Sequence, residues 1–191
     1  MLLITTSHRP TKRVRALSHD LKRVLPAAIQ INRGKLGFEE VIEQARILRA
    51  DRIMFLHRWK GGPGKIEMYE LNSDGGLFFP IIYLASTQHQ NELQGRVLVK
   101  NKLALVKPEI NCMELKHLSE SLSTFLSIPL VEREQAAKAS RIGMIFSETD
   151  SHMTMSFESL SDNTEIGPRL VIKNLVWSDK ISPLVNGKRP N

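Results

Sequence analysis

The sequence predicts an α/β protein made of two tandem similar halves, each a mixed sheet packed with helices. Three observations carry this prediction. Apolar runs of strand length alternate with amphipathic helical stripes. The series strand–helix–strand–helix–strand–strand–strand occurs twice. Finally, five apolar positions of the first helix recur in the second half at a constant shift of 101 residues.

The first half reads as follows. Leu2–Thr6 is an apolar, β-branched run and predicts a strand. Ser7 is placed to cap the next helix, with Pro10 in its first turn. That helix runs to about Leu25 and is stopped by Pro26. Val14, Leu17, Leu21, Val24 and Leu25 form its inward stripe; at about 100° per residue, Lys12, Arg15, His19, Lys22 and Arg23 fall on the other side. Ala27–Ile31 is a short strand and Asn32-Arg33-Gly34-Lys35 a loop. Phe38–Ala50 is a helix with Phe38, Val41, Ile42, Ala45 and Leu48 inward. Ile53–Leu56 is continuously apolar, as expected of a central strand buried on both faces. Gly61-Gly62-Pro63-Gly64 turns the chain into a Lys65–Leu71 strand, and Asn72–Gly76 turns it again into Leu77–Leu84.

The second half repeats this order. The 101-residue shift carries the helix stripe onto Leu115, Leu118, Leu122, Phe125 and Leu126, and Leu2, Ile4 and Thr5 onto Leu103, Leu105 and Val106. Ala27 and Ile29 land on Ile128 and Leu130. A shorter helix around Arg133–Ser140 then lowers the offset to about 90, matching Ile53 to Ile142 and Gly76 to Gly167. Ile142–Phe146, His152–Phe157 and Leu170–Val176 mirror the last three strands. The halves are therefore placed at 1–84 and 98–180, with 85–97 as linker and 181–191 as a tail.

The charge does not repeat. The chain carries a formal net charge of +7. Residues 1–35 hold eight basic side chains, Arg9, Lys12, Arg13, Arg15, Lys22, Arg23, Arg33 and Lys35, against the single acid Asp20. That region accounts for the whole excess, because the remainder has 19 basic and 19 acidic residues. Arg9, Lys12, Arg13 and Arg15 correspond to Ile110, Met113, Glu114 and Lys116, so the fold does not demand the basic strip. A solvated face is the ordinary meaning of a charge run. Here pairing at i,i+4 cannot neutralise it, and cations near a helix N-terminus oppose the macrodipole. An anionic partner, nucleic acid before membrane surface, relieves both costs. The Arg33-Gly34-Lys35 loop adds cations around a flexible glycine and is a second candidate phosphate contact.

Other chemistries find little footing. The Gly61–Lys65 stretch fails the phosphate-loop spacing, because Trp59 holds the first glycine position and Ile66 follows the lysine; it reads as a hairpin turn. The six histidines show no metal-ligand spacing, and no nucleophile elbow or dinucleotide fingerprint occurs. Met153, Met155 and Phe157 alternate with polar residues, as in a half-buried strand. No aromatic residue interleaves with the basic cluster, so base stacking is not indicated. The single Cys112 excludes an internal disulfide. No apolar stretch approaches the ~20 residues of a membrane span, and Met1–Ile4 is too short for a signal peptide. A soluble cytoplasmic protein that is not an enzyme and has no cofactor or metal is expected.

Ile4-Thr5-Thr6-Ser7, Arg9-Pro10 with the basic helix to Leu25-Pro26, Asn32-Arg33-Gly34-Lys35 and Glu165-Ile166-Gly167-Pro168-Arg169-Leu170 together resemble the motifs of the Brix domain, in the family's order over nearly the whole chain, 1–191. The bare domain resembles archaeal members related to the small-subunit processome protein of eukaryotes. His8 departs from the basic residue often found there. The resemblance implies a ribosome-biogenesis factor without a catalytic centre that binds ribosomal RNA precursor or a related small RNA, alongside other ribosome-assembly proteins. It also implies two halves, each like the anticodon-binding domain of class IIa aminoacyl-tRNA synthetases. The RNA-contacting candidates are Arg9, Lys12, Arg13, Arg15, Lys22, Arg23, Arg33, Gly34 and Lys35, with Arg169 and Lys173 as weaker ones. A tRNA-binding accessory module is the alternative. A nucleotide-handling enzyme is a third reading, disfavoured by the missing phosphate loop.

Overall fold

In the computed structural model of the chain, residues 1–71, 76–93, 102–109, 112–140, 142–149 and 152–178 are described. The first series is β1 (Leu2–Thr6), α1 (Lys12–Val24), β2 (Ala28–Gln30), α2 (Phe38–Ile47), β3 (Arg52–Trp59), β4 (Gly62–Glu70) and β5 (Gly76–Gln88). A 3-10 turn at Gln90–Glu92 follows. The second series is β6 (Leu103–Val106), α3 (Met113–Leu126), β7 (Leu130–Val131), α4 (Arg133–Ala139), β8 (Ile142–Thr149), β9 (His152–Ser159), β10 (Thr164–Glu165) and β11 (Arg169–Val176). The class is α/β, as the sequence predicts.

The strands do not stay in two sheets. Among the described residues they form one mixed sheet of order β2-β1-β3-β4-β5-β11-β9-β8-β6-β7, with β10 beside β9. The join is the antiparallel pair β5–β11, from Arg169 opposite Gln88 to Val176 opposite Ile81. Each of these strands would otherwise be an open edge with unpaired backbone groups, and pairing removes both edges. β5 therefore runs to Gln88, past Leu84 and into the expected linker. Residues 94–97 of that linker, the turn at 72–75, Ile110 and the tail 181–191 lie outside the described residues.

Helix α1 buries Val14, Leu17, Leu21 and Val24, and α3 buries Leu115, Leu118, Leu122 and Phe125. Both stripes enter one core with Met54, Leu56, Ile66, Met68, Met144, Phe157, Leu170 and Ile172. Arg52 of β3 reaches across to the end of α3, donating to the Phe125 carbonyl and to Ser127 Oγ at 3.0 Å. Side chains alternate along β3, so Ile53 and Phe55 face the opposite way, where Val41 and Ala45 of α2 cover them. Ala136 of α4 covers Ala104 and Val106 on that same second face. Between α2 and α4, the middle strands leave Lys65, Glu67 and Tyr83 half-buried and Lys173 exposed.

Several local expectations need correction. The N-cap of α1 is Thr11, whose Oγ1 accepts from Val14 N at 3.4 Å; Ser7 Oγ instead accepts from Arg58 N at 3.3 Å, and Pro10 precedes the cap. α2 stops at Ile47, because Arg49 takes a left-handed φ of 56°. Leu48, now past the helix end, is 36% exposed, and Phe38, at the helix start, is 37% exposed while its ring packs on Phe55 and Tyr69. The β3–β4 turn is Lys60-Gly61, with Trp59 opposite Gly62, so Gly62, Pro63 and Gly64 belong to β4. The match of Ile53 to Ile142 is off by one. Leu2 pairs with Arg52, and Leu103, its counterpart, pairs with Ile142. Ile142 thus corresponds to Arg52, and the offset is 90. A one-residue slip sends a side chain to the other face, which is why Ile53 lies under α2 while Ile142 joins the α1–α3 core.

Candidate nucleic-acid interface

The outer face of α1 follows from its inner one. Lys12, Arg15, His19, Lys22 and Arg23 are exposed, opposite the buried stripe. The acid expected to oppose them is not on that face. Asp20 is 7% exposed and points sideways, where its Oδ2 lies 3.2 Å from His89 Nδ1 and accepts from Gln90 N at 3.3 Å. On the other flank, Ser18 Oγ accepts from Gln30 Nε2 at 3.0 Å. Both polar side chains of α1 that could dilute the strip are thus used to fasten the helix. No carboxylate remains on the exposed face of α1.

The cations are not equally free. Arg15 Nη1 donates to the Pro10 carbonyl at 2.9 Å, across the start of its own helix. Arg13 Nη2 donates to the Thr87 carbonyl at 3.2 Å and lies 3.7 Å from Glu92. Arg23 Nη1 donates to Gln90 Oε1 at 2.9 Å, with Asp20 at 4.0 Å. Arg9 is exposed with φ 50°, and its carbonyl accepts from Arg58 Nη1 at 3.4 Å. The loop 32–35 sits beside this segment, because His8 Nδ1 is 3.3 Å from the Gly34 carbonyl. Gly34 has φ +59° with open space where a Cβ would be, and Lys35 is exposed. Arg33 turns inward: Nε donates to the Leu36 carbonyl at 2.9 Å and the guanidinium lies 5.3 Å from the Phe55 ring centroid.

The Gly167-Pro168-Arg169 corner is built into the fold. A Cβ on Gly167, at φ +74°, would lie 2.6 Å from Leu93 Cδ1 and 3.0 Å from Gln90 Cα. Arg169 forms a two-pronged pair with Glu165, Nε donating to Oε1 at 2.8 Å. Its charge is largely met before any ligand arrives.

Lys173 is placed differently. With Arg13, Arg58, Lys60 and Lys65 it lines a concavity of about 1040 Å³ at the β3–β4 turn, the last part of β5 and the middle of β11. Sequence reasoning set this turn aside. A local signal was present in Arg58-Trp59-Lys60, where an aromatic does interleave with cations, but Arg13 and Lys173 join only through the fold. Beside the lining residues Lys65 and His57, Glu67 lies between Lys65 Nζ at 2.6 Å and His57 Nε2 at 2.7 Å. Burial pushes its carboxyl up, but the contacts and charges of His57 and Lys65 outweigh this and hold it at about 2. Burial, helped by the Glu67 charge, pushes the neighbouring Tyr69 hydroxyl up to about 12.

The fold and site define an α/β protein with one long mixed sheet and a cation-rich, carboxylate-poor face along the length of α1. No protein-family model matches the chain. Among curated proteins, a "Probable Brix domain-containing ribosomal biogenesis protein" of Pyrococcus abyssi is 34% identical over 121 residues, 62% of this chain and 54% of that protein. The chain thus spans about half the length of that relative. The protein of the same name from Pyrococcus horikoshii is 27% identical over 192 residues, covering 94% of this chain and 86% of its own. Among solved structures, a "probable ribosomal biogenesis protein from Aeropyrum pernix K1" superposes with a TM-score of 0.72 at 21% identity, over 90% of this chain and 94% of that one, and so shares the fold. The chain is a homologue of the archaeal Brix domain-containing ribosomal biogenesis proteins. These names lend no support to the tRNA-accessory reading. No helix among the described residues is long and apolar enough to cross a membrane.

Proposed function

We propose that the chain is an RNA-binding ribosome-biogenesis factor that acts on pre-ribosomal RNA in rRNA processing and small-subunit assembly, holding RNA segments as a chaperone-like placeholder rather than by catalysis. The observation that carries this is the exposed face of α1, from which Asp20 has been withdrawn. Lys12, Arg15, Lys22 and Arg23 of that face, with Arg9, Gly34 and Lys35 beside them, are read as phosphate contacts. Arg13 and Arg33 contribute charge while also tied to the protein. Arg169 stays a weaker candidate, since Glu165 holds it, and Lys173 belongs to the neighbouring concavity. Contacts of this kind give affinity and register but little sequence readout. We also read the two series as copies of one ancestral unit of the anticodon-binding-domain type. They would comprise 1–84 (carried to the end of β5) and 98–180, with a tail at 181–191. The constant offsets of 101 and then 90 support this.

The test is the salt dependence of binding to a pre-ribosomal RNA fragment. If about five phosphates are neutralised, log K against log[salt] has a slope of roughly −3.5 to −4.5. Affinity that hardly changes with salt overturns the phosphate-strip reading.

A further inference from the structure

Trp59 is unusual for its position. It sits at the tip of the β3–β4 hairpin, 69% exposed, flanked by the exposed Arg58 and Lys60. Its place is built rather than left over. Gly64 on the facing strand is buried, and a Cβ there would collide with Trp59 Cβ, so the glycine lets the Trp59 backbone and side-chain root close down on β4. Beyond the tip, Gly61 and Gly62 have open space where side chains would be. The indole therefore borders the concavity from its rim, with open space at Gly61 and Gly62 beside it.

The chemistry of the lining selects the occupant. Arg13, Arg58, Lys60, Lys65 and Lys173 contribute cations, and no Asp or Glu is among the described lining residues. Of these, Lys65 is already paired with Glu67, and Arg13 lies near Glu92; Lys60 and Lys173 are exposed. A cation-lined hollow with a large aromatic plane at its rim suits a polyanion that also carries flat, unpaired rings. Single-stranded nucleic acid has both, whereas a duplex hides its ring faces in the stack. We propose that this concavity binds a single-stranded RNA segment, one base of which stacks on the Trp59 indole while its phosphates lie against Arg13, Arg58, Lys60 and Lys173. The proposal rests on the reading of α1 as an RNA-binding face. Arg13 belongs to both, so the strand continues from the helix strip into the hollow.

The experiment uses the full chain with Trp177→Phe, which leaves Trp59 as the single tryptophan. Trp177 packs edge-on against His117, away from this lining. The probes are single-stranded oligo(U) and the oligo(A)·oligo(U) duplex. Expected results are quenching of Trp59 fluorescence by oligo(U) and little quenching by the duplex. Trp59→Ala should weaken oligo(U) binding by about 5- to 150-fold, the range for one stacked base, with an unchanged salt slope because no charge is lost. Trp59→Phe should retain most of the affinity. If oligo(U) binds with a steep salt dependence, yet Trp59 fluorescence does not change and Trp59→Ala binds like the parent, the stacking site is wrong and the α1 reading stands. If neither probe binds at any salt, both fall. Quenching by polyglutamate but not by RNA overturns the proposal in favour of an acidic protein partner.

Discussion

Helices α1 and α3 fill the same place in the two series and share a core, yet they meet solvent in opposite ways. Both bury their stripes in one cluster on one face of the sheet, and Leu21, Leu25, Leu122 and Leu126 line a single small gap between them. Outside, α1 shows Lys12, Arg15, Lys22 and Arg23, whereas the matching positions of α3 are Met113, Lys116, Ser123 and Thr124. The inward pattern is set by packing, and both stripes pack into one shared core. The outward pattern is set by whatever meets the helix from outside.

Equal packing is the strongest expectation to break. Leu21→Ala and Leu122→Ala each remove a buried side chain from the shared core, with 2% and 1% exposure. Each should cost about 2–5 kcal/mol in denaturant unfolding, and by similar amounts. A large loss in one helix and almost none in the other would show that the two stripes are not equivalent. Unequal surfaces give the next effect. Changing Lys12, Arg15, Lys22 and Arg23 to Gln should lower RNA affinity by roughly 10²- to 10³-fold at low salt and flatten the salt slope by about 3. The melting temperature should stay level or rise slightly, because like-charge repulsion is relieved. A four-Gln protein that binds RNA like the parent, or fails to fold, breaks the assignment of the strip to a partner.

Much of this comparison was legible in the sequence because a helix buries one side, and the 3.6-residue period reports which. Val14 to Leu25 and Leu115 to Leu126 show it plainly. The strand phase was not legible. Ile53–Leu56 is apolar on both faces, so nothing in it marks which residues look toward α1 and which toward α2, and the match to Ile142 slipped by one. Asp20 looked like a counter-ion of the basic strip because sequence shows proximity but not direction. About 80° around the helix from Lys12, it faces His89 and Gln90 instead. The rest of the concavity was hidden for a different reason: Arg13 and Lys173 join Arg58-Trp59-Lys60 only through the fold, Lys173 once β5 and β11 have paired.

A smaller difference separates two glycines matched in the sequence. Gly76 opens β5 with free space where a Cβ would go, while Gly167 has φ +74° and presses on Gln90 and Leu93. Gly167→Ala should therefore cost about 1–3 kcal/mol through left-handed strain and the close approach to the Gln90 backbone. Gly76→Ala should stay within about 0.5 kcal/mol. Thermal melts of the two variants decide it. Equal effects would mean that the corner before β11 is no tighter than the start of β5.

The smallest effect lies in the two hairpins and is confined to acid. Counted from Arg52 and Ile142, which pair with Leu2 and Leu103, Ser147 holds the place in β8 that His57 holds in β3. His57 pairs in register with Lys65, and Ser147 with Thr154. The second pair is a neutral hydrogen bond of 2.6 Å between hydroxyls. The first flanks Glu67, whose carboxyl is held at about 2 against an ordinary 4.5. Between these values the unfolded chain takes up a proton that the folded chain refuses. The stabilisation from Glu67 is therefore complete above about pH 4.5 and disappears as the pH falls toward 2. Because the His57 and Lys65 side chains are 25% and 28% exposed, solvent screens part of it. Glu67→Gln should be less stable than the parent at neutral pH, with the gap closing through that window. Ser147→Ala should differ from the parent by a constant amount across the same range, since neither hydroxyl titrates there. Denaturant midpoints of both variants from pH 7 to pH 2 separate the cases. Parallel curves for Glu67→Gln and the parent would mean that His57 and Lys65 do not hold the carboxylate, and that the two hairpins differ in sequence but not in electrostatics.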